Sequence, residues 1–131
     1  MPAAPVIAPG SVIGILGGGQ LGRMLAMAAA QLGYRCHVYC PEADCPAAQV
    51  AAAHTAAAYE DVAALDRFAA QVAVATIEFE NIPLLAVERM AARTLARPGV
   101  AALRVCQDRL LEKDFVRECG GRTAAYRAVA S

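Results

Sequence analysis

Val12–Leu16 is an unbroken apolar run, the pattern of a strand covered on both faces of a parallel sheet. The period then changes. From Gly19 to Leu32 apolar residues recur at helical spacing; Leu21, Met24, Leu25, Ala28 and Leu32 form the main stripe, and Gly33 ends the segment. Arg35–Cys40 reads as a second strand, closed by Pro41. A short helix is expected around Ala47–Ala53 and a third strand near His54–Ala58. Asp61 can cap a helix whose Val62, Leu65, Phe68 and Ala69 face inward. Val72–Ile77 is a fourth strand, Pro83 suits the first turn of a helix running to about Ala92, and Thr94–Arg97 is a short fifth strand stopped by Pro98. This alternation predicts an α/β fold, a doubly wound, mostly parallel sheet with helices on both faces and right-handed crossovers.

After Pro98 the rhythm differs. Ala101–Cys106 and Asp108–Cys119 read as consecutive helices stopped by Gly120-Gly121, and a further extended segment begins near the end of the chain. The expected organisation is a flexible tail over 1–10, the α/β domain over 11–98 and a helical linker over 99–131.

Composition narrows the function classes. Apolar residues make up 58% of the 131 and charged ones 18%, which suits a compact domain with small-residue packing. Lys and Arg number 12, as do Asp and Glu. Zero net charge argues against a nucleic-acid binder, which needs a basic surface, and leaves self-association open. No apolar run is long enough to span a bilayer, and the start of the chain lacks the basic region of a signal peptide. Five cysteines without a C-x-x-C pair favour reduced thiols and a cytoplasmic location. They read as core filler, His37 and His54 as packed or surface residues, and no metal site is expected.

Three segments carry candidate chemistry. Gly17, Gly19 and Gly22 have the G-x-G-x-x-G spacing directly after a buried strand. Such a turn brings backbone close to a phosphate and aims the free N–H groups of a helix start at it. Gln20 and Arg23 add polar groups there. A dinucleotide site would want an acidic residue at the end of the second strand, where Cys40 stands instead. Glu78 and Glu80 follow the fourth strand, at the edge where open α/β sheets bind ligands. Two apart in an extended chain, their carboxylates point to one face and suit amino or hydroxyl groups; equally, one could cap the Pro83 helix while the other is solvated. Arg109, Lys113 and Arg117 share one helical face, and Arg109 in a first turn opposes the helix dipole unless an anion lies near.

Four segments together closely resemble one family. They are Ile15-Leu16-Gly17-Gly18-Gly19-Gln20-Leu21-Gly22-Arg23-Met24, Cys45-Pro46-Ala47-Ala48-Gln49-Val50-Ala51, Phe79-Glu80-Asn81-Ile82-Pro83 and Gln107-Asp108-Arg109-Leu110-Leu111-Glu112-Lys113. The family is N5-carboxyaminoimidazole ribonucleotide synthase, the ATPase subunit of phosphoribosylaminoimidazole carboxylase, within the ATP-grasp superfamily. The likeness runs from about Val12 to Tyr126. It implies a Rossmann-like pre-ATP-grasp domain and, for the full-length parent, ATP- and Mg2+-dependent carboxylation of 5-aminoimidazole ribonucleotide with bicarbonate through carboxyphosphate in purine biosynthesis. It further implies a homodimer, with ribonucleotide contacts at Gly19, Gln20, Leu21 and Gly22, a substrate-recognising carboxylate at Glu80 or alternatively Glu78, and an ATP phosphate contact at Arg109. The chain reads as the N-terminal domain alone, without catalytic residues, a tightly bound cofactor or activity of its own. The competing expectation is a non-catalytic module that senses NAD or an adenine nucleotide.

Overall fold

The computed structural model describes residues 6–129. Five strands form one sheet: β1 (Val12–Leu16), β2 (Arg35–Cys40), β3 (Ala53–Ala56), β4 (Val74–Ile77) and β5 (Leu95–Ala96). Every pairing is parallel and the order is β3-β2-β1-β4-β5. The doubly wound α/β architecture is therefore as expected, with a sheet parallel throughout. The strand order reverses at β1, so the C-terminal ends of β1 and β4 flank a switch-point crevice.

Alternate strand residues face opposite layers. On one face Leu16, Tyr39 and Ala75 join α2 (Val62–Ala69), α3 (Leu84–Ala91) and α4 (Val100–Gln107) in the larger core, which includes Leu65, Phe68, Ile82, Val87, Met90 and Leu103. Gly14 makes room there, since a Cβ would lie 3.0 Å from Phe68 Cζ. The Phe68 ring meets His37 and Tyr39 edge-on at centroid distances of 4.6 and 5.3 Å. On the other face Ile15, Cys36, Val38 and Cys40 pack with Ala26 and Ala29 of α1 (Gln20–Gln31) and with Cys45 and Ala47.

The apolar stripe of α1 is not its buried face. Gly22, Ala26 and Ala29 are buried, whereas Leu21, Met24, Leu25 and Leu32 are exposed, Met24 by 63%. Small residues let the helix axis approach the sheet: a Cβ on Gly22 would sit 3.0 Å from Gly17 O. Apolar periodicity counts large side chains and so selects the outer face.

The short helix expected over Ala47–Ala53 is absent. Residues 47–52 form turns, and β3 begins at Ala53. Local bonds such as Ala51 N–H to Ala47 O at 3.1 Å make single turns only, because Ala47 N–H donates to Gly18 O at 2.9 Å and Ala52 N–H to Cys36 O at 2.9 Å, which ties the two ends of the segment to the glycine turn and to β2. Asp61 does cap α2, accepting from Ala64 N at 2.9 Å. Pro83 stands just outside α3, as its N-cap. Asp66 on α2 joins Arg89 at 2.6 Å and Arg93 at 2.8 Å, which locks α2 to α3.

Residues 1–5 of the expected tail lie outside the described residues. Residues 6–10 are held to the domain, because Tyr34 Oη donates to Ile7 O at 2.8 Å and Gly10 N to Gly33 O at 2.7 Å. At the other end α5 (Arg109–Glu118) buries none of its residues, and residues 121–129 carry no regular structure. The final two residues of the expected extended segment lie outside the described ones.

Candidate functional site

β1 delivers its chain to Gly17, whose φ of 112° is a left-handed conformation that a side chain would strain. Gly17 N–H is spent on Tyr39 O at 2.9 Å. Gly19 is the extended N-cap of α1 and offers no side chain to its first turn. The helix therefore starts with unpartnered backbone donors at the C-terminal edge of the sheet, the arrangement that suits an anion.

A carboxylate already stands at this turn. Glu78 follows the last residue of β4, and its N–H is bound to Leu16 O at 2.9 Å, which aligns it with the end of β1. A Cβ on Gly17 would lie 2.6 Å from Glu78 Oε2, and one on Gly19 would collide with Oε1. Both glycines are thus places where only bare backbone leaves room. Gly18, Gly19, Cys45, Tyr59, Glu78 and Phe79 line a cavity of about 330 Å³ here. Burial, then the nearby Cys40 and Glu42, push the Tyr59 phenol above its ordinary range, so the ring stays protonated and able to donate.

Glu78 stands at the glycine turn, and Glu80 does not line the cavity there. β4 ends at Ile77 and residues 78–82 bend, so the alternation expected of an extended chain is not realised. Glu80 is exposed and, together with Glu78, lines a second hollow with Pro98, Ala102 and Cys106. Neither acid caps α3, which has no side-chain cap bond. Gln20 and Leu21 lie in the first turn of α1 with exposed side chains, so contact from them to a ligand at the turn would come from backbone or from a side chain that folds back.

The Gln-Asp-Arg segment is attached to the site through its first residue. Gln107 Nε2 donates to Glu80 O and to Ile82 O, both at 2.7 Å. Asp108 is the N-cap of α5 and accepts from Leu110 N at 2.8 Å and Leu111 N at 3.0 Å. Arg109 projects into solvent with 77% of its side chain exposed and pairs with Glu112 one turn on. That pair, with the Asp108 cap, offsets the unfavourable helix-dipole position of Arg109. Lys113 and Arg117, on the same face, lie over the Tyr126 ring at 5.1 and 4.6 Å. The spacing of these motifs contains no sign of the Gln107 tether, which spans 25 residues to Ile82.

His37 is packed as expected, 4% exposed, with Nε2 2.8 Å from Thr55 Oγ1. Burial, then the charge of His54, lowers its pKa. Cys36, Cys40 and Cys45 are buried and Cys106 and Cys119 exposed. Cys40, Cys45 and His54 gather their side-chain ends within 4.8 Å of one another, the one group of three potential ligands among the described residues. Sulfur and imidazole donors do not suit Mg2+, which requires oxygen. No Mg2+ chemistry is therefore derived from these residues.

Comparison with known proteins agrees with this geometry. The family model of the ribonucleotide synthetase preATP-grasp domain matches residues 11–107. The N5-carboxyaminoimidazole ribonucleotide synthase of Brucella melitensis is 53% identical over 92% of the chain and 33% of its own length. A crystal structure of an ADP complex of an N5-carboxyaminoimidazole ribonucleotide synthetase superposes with a TM-score of 0.89 at 39% identity, over 93% of this chain and 32% of that one. The enzyme of Aspergillus clavatus, in complex with ADP and 5-aminoimidazole ribonucleotide, gives 0.76 at 31% identity over 85% of this chain and 30% of that one. The chain thus spans about a third of the length of these relatives. These relatives are named as ribonucleotide synthases, so the competing nucleotide-sensing module is not favoured, in keeping with Cys40 where that module would want an acid. With a glycine turn at the switch point of a parallel sheet, and a match that covers most of its residues, this chain belongs to the ribonucleotide synthetase preATP-grasp domain family.

Proposed function

We propose that this chain is the ribonucleotide-holding part of an ATP-dependent ligase that carboxylates 5-aminoimidazole ribonucleotide with bicarbonate. The observation that carries the reading is the pairing of a bare-backbone turn, Gly17–Gly19, with the Glu78 carboxylate at one cavity. The ribonucleotide phosphate docks on the turn and the first N–H groups of α1, over Gly19–Gly22, and like-charge repulsion turns the neighbouring Glu78 carboxylate away. That carboxylate accepts from an amino or hydroxyl group of the same ligand. Glu80, beyond Phe79, is the second carboxylate of this strand end and addresses the outer part of the substrate. Backbone at Gln20 and Leu21 completes the turn.

Arg109 serves a different ligand, the ATP phosphate that the family resemblance implies; its exposed guanidinium lies on α5 and does not line the cavity. Bicarbonate, Mg2+ and the groups that drive phosphoryl transfer belong to parts of the relatives that this chain does not span. The 131 residues by themselves turn nothing over. Assembly as a homodimer is part of the proposal; sedimentation of the chain tests it. No helix of the described residues is long and apolar enough to cross a membrane, in line with a cytoplasmic setting for such a reaction.

The test is calorimetric titration of the 131-residue chain with 5-aminoimidazole ribonucleotide, NADH and ATP. Saturable binding of the ribonucleotide that Gly19→Val removes, without loss of the thermal transition, supports the reading. Preferential binding of NADH overturns it, as would bicarbonate-dependent ATP hydrolysis by the chain alone.

A further inference from the structure

The thiol and imidazole cluster below the glycine turn is not used by the proposed ligand site, and its chemistry is specific. Cys40 is the last residue of β2 and is 1% exposed; Cys45 follows in the β2–β3 connection and is 4% exposed. His54 reaches them through β3, because parallel pairing sets it beside Val38, two residues before Cys40, on the same face of the sheet. Its Nε2 lies 3.3 Å from Cys40 Sγ and 4.0 Å from Cys45 Sγ. The two sulfurs are 2.7 Å apart and both cysteines are free.

We propose that Cys40 Sγ, Cys45 Sγ and His54 Nε2 form a binding site for Zn2+. Two thiolates and one imidazole are a donor set for a borderline-soft d10 cation, which takes such ligands tetrahedrally. The nitrogen–sulfur distances already match that polyhedron. Bonds of about 2.3 Å to zinc hold two sulfurs about 3.8 Å apart, so the sulfurs must separate by about 1 Å as the ion enters. The connection that carries Cys45 is built of turns rather than helix, and the proposal requires the Cys45 side chain to shift by that amount. A disulfide would use the sulfurs alone and leave the imidazole without a role; a cation uses all three.

The site has a fixed relation to the cavity above it. Gly18 touches both sulfurs: a Cβ there would lie 2.5 Å from Cys40 Sγ and would collide with Cys45 Sγ. Cys45 also lines the cavity at the glycine turn. Three protein donors leave a fourth position of the tetrahedron for water. The inference stands on these three side chains and does not depend on which nucleotide the turn holds.

The experiment uses the 131-residue chain, reduced, stripped with a chelator and kept free of oxygen. It is titrated with Co2+ as a spectroscopic probe and then with Zn2+. One Co2+ per chain is expected, with a near-ultraviolet thiolate-to-cobalt band and the intense visible bands of tetrahedral cobalt, both abolished stoichiometrically by Zn2+. His54→Gln, at a half-buried position, should weaken binding by at least about tenfold and keep the thiolate band, since even outer-shell partners are worth that much. Cys40→Ser with Cys45→Ser should remove the band, while Cys106→Ser with Cys119→Ser should leave it unchanged. Circular dichroism melts of each variant establish that it is folded. The proposal fails if the reduced chain gives no thiolate band, or if the band survives in the Cys40/Cys45 variant or is lost in the Cys106/Cys119 variant. It also fails if Zn2+ does not protect Cys40 and Cys45 from oxidation to a disulfide, read by mass spectrometry.

Discussion

Gln107 Nε2 lies 2.7 Å from Ile82 O and donates to it, and through its second hydrogen to Glu80 O at the same distance. One amide thus fixes the turn that follows β4 against the end of α4. It couples the segment bearing Glu78 and Glu80 to the segment leading into α5 and Arg109. Gln107→Leu removes both donors while keeping the size of the side chain. We expect a loss of about 1–3 kcal/mol, from two bonds each worth about 0.5–1.5 kcal/mol net. Urea unfolding with unchanged m checks it.

The Glu78 carboxylate stands beside the glycine turn, so its removal should act in opposite directions on two ligands. Glu78→Ala is expected to tighten binding of inorganic phosphate, because a competing negative charge leaves. It should weaken 5-aminoimidazole ribonucleotide by about 10–100-fold, the equivalent of one charge-assisted hydrogen bond. Calorimetry with both ligands decides; parallel shifts of the two affinities would show that Glu78 has a single role.

Arg109→Ala should be silent in this chain. Its one ion pair is exposed, and such pairs are worth under about 1 kcal/mol. Neither the denaturation midpoint nor ribonucleotide affinity should move. In a protein that joins this domain to an ATP-grasp region, the same change should raise KM for ATP and leave KM for the ribonucleotide. Steady-state kinetics with each substrate varied in turn makes the distinction.

The two faces of α1 should respond oppositely to mutation. Ala26→Leu forces extra volume between helix and sheet and should cost about 1–3 kcal/mol. Met24→Ala, on the exposed stripe, should stay within about 0.5 kcal/mol in the isolated chain. Denaturation midpoints of the two variants test the assignment directly.

Asp66 gives stability an acid limb. The Arg89 guanidinium, then that of Arg93, holds its carboxyl below the ordinary range. A folded-state pKa below the unfolded one contributes stability above the unfolded value, near 3.9, and loses it as pH falls through the folded value. Asp66→Asn should therefore lower the melting temperature at neutral pH and make it less sensitive to acid below about pH 4. A melting curve series across that range is the measurement; an unchanged acid slope would count against the role of the triad.

Much of this molecule is legible in local sequence. The apolar run of β1, the glycines after it, the Asp61 cap and the alternation of strand and helix depend on residues within a few positions of each other. Backbone sterics and hydrogen bonding act at that range, so pattern reading reaches them. The end of β4 shows where such reading stops. Glu78 and Glu80 are two apart and would share a face in an extended chain, but the strand ends at Ile77 and the turn sends only Glu78 to the glycines.

Tertiary structure decided the rest. The large side chains of α1 mark an amphipathic helix but not which face meets the sheet; the close approach allowed by Gly22, Ala26 and Ala29 settled that. The strand order put β1 at the switch point and so made its turn a candidate ligand site. Parallel pairing of β2 with β3 brought His54 to Cys40 across 14 residues, and the Gln107 tether crossed 25 to reach Ile82. Local spacing carries no information about such distances, because they are set by which strands pair and how closely the layers pack, and those follow from the free energy of the whole core rather than of any segment.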